Sequence, residues 1–504
     1  MIFAVLFCLF MSVLLVTDAF LVNPVGLTGR STVLSPGPDT VDSKATSKRN
    51  KNSRNDLGRV TGLNDKFDNN ISGYGDEEER DDSAGYGQEF FPPSNYDSGM
   101  ILGALPDLVL SCLIGMTVGL SVVLFKDTIS HLQSVLYSLP SLPTFFIPIL
   151  GALAVSALGM LNNPRGFDSI TSLDKTLRSP IDPFGALIKA LAAVFTLGAG
   201  NSLGPEGPVV EIGLAASRLL GPDRGQLLGC GAAAAISAGF NAPLAGVFFA
   251  LEIVNNDGND SDGGSVASKN GLTLALIASV IAALVSGAGL KEELAFELMT
   301  VAQRADTNIF FEFPSYVGLG LLSGATASAF KAFTKNLKRR GETINANVKP
   351  LIGGCVVSII SIFFPQVLFF GYDNVNSMVS EGGTVDTAML CQIFVAKILA
   401  TSACLSSGLV GGLFAPSLFI GSTLGGIYHN ILELVTSNPI FLAATSVYSY
   451  EGASSLLASL FKAPLTSTIL LFELTKNYDM ILPSLACAGV ASVTAEFLEK
   501  EINE

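Results

Sequence analysis

A nearly unbroken succession of apolar segments, from about residue 100 to the C-terminus, constrains this sequence more than any other feature. Only 14% of its 504 residues are charged, about half the usual share in a soluble globular protein. The 51 glycines are an enrichment, and glycine lets apolar helices approach one another closely in a bilayer. The sequence therefore predicts an all-α polytopic membrane protein.

Several of these segments contain Gly or Pro near their middle. Inside a bilayer, such breaks are tolerated only where the freed backbone groups are buried in protein or face a water-filled cavity. We therefore expect tilted and broken transmembrane helices around an internal site.

Two sequence patterns occur twice, in the same order. The pattern F-x-A-P-L-x7-E spans 240–252 and again 461–473, and the pattern G-x3-P-x3-I-G spans 204–213 and again 412–421. The two copies lie 221 and 208 residues apart, respectively, which indicates an internal duplication. Duplicated halves with paired Gly/Pro interruptions are typical of transporters and channels whose repeats meet near the bilayer midplane.

Each G-x3-P segment is expected to open an apolar helix. The first N–H groups of a helix lack intrahelical partners and carry the positive end of the helix dipole, so two converging N-termini form an anion site from backbone alone. A cation site would instead expose carbonyl groups and helix C-termini. The residues predicted to form these N-termini are Gly204, Pro205, Gly207, Pro208 and Gly412.

Glu206 lies inside the first of these segments. An ionised carboxylate there can occupy the anion site itself, and it must swing away or become protonated before an anion passes. The alternative is that Glu206 only stabilises the positive end of its helix. Because an ionisable residue inside a membrane helix is costly and usually functional, we favour the interpretation as a gate.

Four motifs together resemble the CLC family of chloride channels and proton-coupled anion exchangers. They are 204–208 (GPEGP, against the family's G-[RK]-E-G-P), 241–246 (NAPLAG), 412–416 (GLFAP, against G-x-F-x-P) and 477–483 (NYDMILP). The resemblance implies an inverted internal repeat of tilted, broken transmembrane helices, assembled as a homodimer with one pore in each subunit. It also implies passive transport of chloride or other small anions across a lipid bilayer.

The resemblance assigns roles to individual residues. Glu206 matches the gating glutamate, and the backbone N–H groups of Leu413 and Phe414 match those that bind the central chloride. Tyr478 is expected to supply a hydroxyl that closes the inner side of this site. Arg165 aligns with the serine that contributes to chloride binding in the family.

That serine segment is one of three departures from the family pattern. Its place is taken by 163–168 (NPRGFD), so the choice between chloride and nitrate stays open. Ile253 follows Glu252 where proton-coupled exchangers usually carry an acidic residue, which favours a chloride channel and leaves an anion/proton antiporter as the alternative. Pro205 replaces the basic residue before the gate and removes a charge that would favour ionised Glu206.

The N-terminal hundred residues differ in composition from the rest. The sequence predicts a signal peptide over 1–19, a basic, hydroxylated transit-peptide-like segment over 20–60 and an acidic disordered linker over 61–99. The transport domain then covers 100–500, and 501–504 form a short tail without room for cytoplasmic nucleotide-sensing domains. This two-part leader, with Phe20 at the cleavage point, favours a plastid membrane; a plain secretory signal leading to another endomembrane is the alternative.

Other classes of function fit the sequence poorly. The pI near 4.7 and the absence of a long basic stripe argue against a nucleic-acid partner. The two histidines, His131 and His429, are far apart, and the seven cysteines form no C-x-x-C pair, so neither a metal site nor a cofactor is expected. A membrane-embedded enzyme is the rival outside transport, but no H-E-x-x-H motif occurs and the Ser-Gly pairs lack a convincing histidine partner.

Overall fold

A computed structural model describes residues 98–140, 142–162, 167, 183–221, 225–254, 268–289, 309–371, 386–435 and 442–503. From Gly99 onward these residues belong to one compact unit. The predicted signal peptide 1–19, the transit-peptide-like segment 20–60 and all but the last two residues of the predicted linker lie outside the described residues, as does Arg165.

The described residues form fourteen α-helices, joined in places by short 3-10 turns and without an extended β-strand. The helices are α1 Ser98–Tyr137, α2 Ile147–Asn162, α3 Pro183–Gly198, α4 Glu206–Leu220, α5 Gly225–Phe240, α6 Pro243–Phe249, α7 Lys269–Gly289, α8 Ile309–Arg340, α9 Lys349–Phe363, α10 Thr387–Ser407, α11 Phe414–Val435, α12 Thr445–Phe461, α13 Pro464–Thr475 and α14 Ile481–Asn503.

The fourteen helices divide into two runs of seven, α1–α7 and α8–α14. Pro106 lies inside α1 and Pro314 lies inside α8, 208 residues further along the chain. Helices α4 and α11 begin at Glu206 and Phe414, which are also 208 residues apart. The predicted all-helical fold with an internal repeat is therefore confirmed.

The lengths of the helices agree with the predicted membrane fold. In the part of the chain that the structure describes, four spans are long and apolar enough to cross a bilayer: Leu105–Tyr137, Asn270–Gly289, Thr387–Ser407 and Tyr478–Glu501. Several other apolar helices have only 10–17 residues, too few to cross a bilayer alone. Helix α6 is the extreme case, because Pro243 opens it and a π-helical turn, Ala250–Val254, follows it.

Equivalent glycine pairs fix the crossing of α4 with α5 and the crossing of α11 with α12. Gly213 packs against the backbone carbonyl of Gly231, and Gly421 packs against that of Gly452, so closely that a Cβ at either position would overlap the carbonyl oxygen. Small residues at such crossings allow backbone-to-backbone packing in membranes. These crossings bring α4 and α11 into close contact with α5 and α12, and both helices begin deep inside the protein.

Candidate functional site

The two G-x3-P segments meet through a pair of backbone hydrogen bonds. The N–H of Gly204 donates to the carbonyl of Gly412 at 2.8 Å, and the N–H of Gly412 donates to the carbonyl of Gly204 at 2.7 Å. The two segments form an isolated antiparallel bridge. This bridge joins the two repeats immediately before α4 and α11 begin.

Glycine is required on both sides of the bridge because each segment lies against the first turn of the other repeat's helix. A Cβ on Gly412 would come within 2.6 Å of the backbone nitrogen of Gly207. A Cβ on Gly204 would lie 3.2 Å from the backbone nitrogen of Ala415 and would overlap the Glu206 carboxylate. The N-termini of α4 and α11 therefore converge on one small region.

Glu206 is the first residue of α4 and is 4% exposed. Its carboxylate folds back against Gly204, at the positive end of the helix dipole. The residue before it, Pro205, makes no side-chain cap to the first turn of α4. A negatively charged group at this position, whether the carboxylate or a bound anion, is stabilised by the same backbone N–H groups.

Three phenylalanines surround the N-terminus of α11. The ring centroid of Phe414 lies 5.1 Å from that of Phe240 and 5.2 Å from that of Phe461. Phe240 and Phe461 are the first residues of the two F-x-A-P-L copies. The F-x-A-P-L pattern thus places its two phenylalanine rings beside the start of α11, the helix that the second G-x3-P segment opens.

The acidic residue that ends each F-x-A-P-L-x7-E copy caps a helix of the other repeat. The carboxylate of Glu252 accepts hydrogen bonds from the N–H of Leu465 at 2.9 Å, the N–H of Thr466 at 2.7 Å and the Thr466 hydroxyl at 2.6 Å. These donors belong to the first turn of α13, where N–H groups lack intrahelical acceptors.

Glu473 makes the reciprocal contact with α6. Its carboxylate accepts from the N–H of Leu244 at 2.9 Å and from the N–H of Ala245 at 2.7 Å. Each repeat therefore caps the other through the equivalent residue, as expected for two halves related by a two-fold axis. The residues at the second position of F-x-A-P-L also match, because Asn241 and Lys462 both adopt left-handed backbone conformations, with φ of 54° and 56°.

A family model described as "Voltage gated chloride channel" matches residues 165–496 of the sequence. The chain belongs to this family, the CLC family. The bridge, the two converging helices and the reciprocal caps all lie within the matched region.

Three curated proteins illustrate the relationship. The chain is 35% identical to chloride channel protein CLC-e and 34% identical to CLC-f, both of Arabidopsis thaliana, over 76% and 68% of its length. These alignments cover 58% and 46% of the two plant proteins, so the chain spans about half of their length. It is 30% identical to the H(+)/Cl(-) exchange transporter ClcA of Klebsiella pneumoniae over 62% of the chain and 66% of that protein.

Solved structures show the same fold. A slow cyanobacterial Cl-/H+ antiporter superposes with a TM-score of 0.66 at 23% identity, over 79% of this chain and 98% of that structure. A CLC-type fluoride/proton antiporter gives a TM-score of 0.62 at 21% identity, over 81% of this chain and 97% of that structure. The chain therefore has the fold of these solved CLC structures.

The structure does not place Tyr478 at the CLC anion site. The side chain of Tyr478 is 75% exposed, and its ring lies 4.7 Å from that of Phe472, at the end of α13. A hydroxyl that closes a buried anion site must itself be shielded, so the expectation for Tyr478 is corrected. Leu413 is half-buried immediately before α11, and Phe414 is buried as the first residue of that helix.

Two sets of contacts escaped the sequence analysis. One is the capping role of Glu252 and Glu473, although their equal spacing within the repeat was a signal that they act as a pair. The other is Lys126 of α1, whose ammonium donates a hydrogen bond to the carbonyl of Gly239 and interacts electrostatically with Glu206. Nothing local in the sequence connects Lys126 to the CLC motifs.

Within the described residues, no group of three or more His, Cys, Asp or Glu side chains is placed to hold a metal ion.

Proposed function

We propose that this CLC protein is a chloride channel in which Glu206 gates passive movement of chloride or other small anions. The observation that carries the proposal is the convergence of the N-termini of α4 and α11 at a buried Glu206. Ionised Glu206 competes with the anion for the backbone N–H groups of both helices. Protonation or rotation of its side chain gives the site to the anion.

The environment of Glu252 supports a channel over a coupled exchanger. Both carboxylate oxygens of Glu252 accept hydrogen bonds from α13, and Ile253, which cannot carry a proton, follows it. Glu252 is thus committed to capping α13, and the next position, where exchangers usually carry an acid, is aliphatic. This position therefore offers no evident proton relay to Glu206.

Anion/proton antiport is the second candidate. Its support is the 30% identity to ClcA of Klebsiella pneumoniae, which is described as an H(+)/Cl(-) exchange transporter. In that case protons would reach Glu206 by a route that avoids Glu252 and Ile253. The anion itself, chloride or nitrate, depends in part on Arg165, which we propose replaces the serine of the family at the site.

The setting of the site is also part of the proposal. We propose a homodimer with one pathway in each subunit, as the family resemblance implies, embedded in a plastid membrane. Support for the plastid comes from the signal-like run 1–19 and the basic, hydroxylated segment 20–60.

Chloride efflux from liposomes that contain the purified protein tests the gate. Wild-type efflux is expected to rise as the external pH falls, because protons neutralise Glu206. Efflux through Glu206→Gln is expected to be fast and independent of pH. A Glu206→Gln protein whose efflux keeps the wild-type pH dependence would show that Glu206 is not the gate.

A further inference from the structure

The position of Lys126 gives the region around Glu206 a positive charge from outside the CLC motifs. The Lys126 ammonium donates to the carbonyl of Gly239, in the last turn of α5. Cations are favoured at helix C-termini, so this carbonyl is a suitable anchor for the ammonium.

The end of α5 that holds Lys126 faces the first turn of α4. A Cβ on Gly239 would lie 4.0 Å from a methyl group of Val209, three residues after Glu206. The next residue, Phe240, is in ring contact with Phe414 at the start of α11. The carbonyl that binds the ammonium therefore belongs to the end of α5 that contacts α4 and the start of α11, and the Coulombic attraction between Lys126 and Glu206 agrees with this placement.

Other charges on the elements packed around Glu206 are paired or distant. Lys189 of α3 forms an ion pair with Glu211 of α4 at 2.5 Å. Arg218 lies more than three turns along α4 from Glu206. In α11, His429 and Glu433 lie four or more turns from its N-terminus, and α5 contributes no charged side chain from its described residues.

The sequence gives this lysine a reason to be present. Pro205 occupies the position where the family pattern G-[RK]-E-G-P carries a basic residue directly before the gate. We propose that Lys126 supplies from α1 the positive charge that Pro205 removes, and that this charge favours the ionised, closed state of Glu206. Lys126 is thus a positioning residue for the gate. This inference rests on the proposed role of Glu206.

A change in the pH dependence of transport follows from this role. An opposite charge nearby favours the ionised form of a carboxyl group, commonly by one or more pH units. Without the charge of Lys126, a lower proton concentration is enough to neutralise Glu206. The pH of half-maximal chloride efflux is therefore expected to move upward by about one unit, a tenfold lower proton concentration.

Lys126→Gln is the most informative variant, because the amide keeps a donor for the Gly239 carbonyl and loses only the charge. Lys126→Arg keeps the charge, and Lys126→Gln combined with Pro205→Arg returns a charge to the position of the family motif. Lys331→Gln is the matched control, since Lys331 is a half-buried lysine that forms an ion pair with Glu499 at 2.6 Å in another part of the protein. Efflux is measured in proteoliposomes from about pH 4 to pH 8, the range that brackets carboxylate titration.

The proposal expects an upward shift for Lys126→Gln, wild-type behaviour for Lys126→Arg and Lys331→Gln, and a partial return in the Pro205→Arg double variant. In a Glu206→Gln background, Lys126→Gln should have no further effect on the pH profile. An unshifted profile for folded Lys126→Gln, or an equal shift for Lys331→Gln, would overturn the role of Lys126 while leaving the gate intact. Persistence of the pH dependence in Glu206→Gln alone would instead overturn the proposed function.

Discussion

The reciprocal caps predict a specific order of stabilities. Glu252 accepts three hydrogen bonds from α13, whereas Glu473 accepts two from α6, and the extra bond comes from the Thr466 hydroxyl. A hydrogen bond to a charged group contributes about 1.5–3 kcal/mol when buried, and these caps are only partly buried, so we take about 1 kcal/mol for each bond. Glu473→Ala should then destabilise the protein by about 2 kcal/mol and Glu252→Ala by about 3 kcal/mol.

Thr466→Val removes the extra hydrogen bond to Glu252 and leaves each carboxylate with two hydrogen bonds from backbone N–H groups. Thr466→Val should lower the free energy of unfolding by about 1 kcal/mol. In the Thr466→Val background, Glu252→Ala and Glu473→Ala should each lower it by about 2 kcal/mol more. The free energy of unfolding is measured by titrating the purified protein in mixed micelles with a denaturing detergent. A larger loss for Glu473→Ala than for Glu252→Ala, or no loss for either variant, would refute the reasoning that the two carboxylates act as equivalent caps.

Further predictions concern the site and the leader. Gly204→Ala should weaken the pH dependence of chloride efflux, because a Cβ at this position overlaps the Glu206 carboxylate; an unchanged profile would contradict the close approach. Leu413→Ile should leave chloride binding, measured by calorimetry, within about twofold of wild type if backbone N–H groups coordinate the anion. Tyr478→Ala should also leave binding intact, since the side chain is 75% exposed. Residues 1–60 fused to a fluorescent protein should reach a plastid, and retention in the endoplasmic reticulum would count against the predicted leader.

The repeated motifs were readable from the sequence because Gly and Pro determine backbone geometry directly. The G-x3-P segments place the starts of α4 and α11 at equivalent positions, and the structure has them at Glu206 and Phe414. The close approach of Gly204 and Gly412 is the physical reason that glycine occurs in both copies.

The remaining features depend on tertiary contacts that no local pattern encodes. Lys126 lies 113 residues from Gly239 in the sequence, and Glu252 lies 213 residues from the N–H group of Leu465. For Tyr478 the error is of the other kind: a motif singled the residue out, but it lies in an exposed turn after α13. The identity of a residue within a motif does not determine its burial, so its role could not be read from the motif alone.

The zero-current potential of proteoliposomes with equal chloride on both sides and a pH gradient tests the central claim most directly. A chloride channel gated by Glu206, with Glu252 fixed as a helix cap and Ile253 unable to carry a proton, should give a potential near zero even though protons accelerate its flux. A potential displaced by a fixed fraction of the proton gradient, and abolished by Glu206→Gln, would contradict the channel and establish anion/proton antiport.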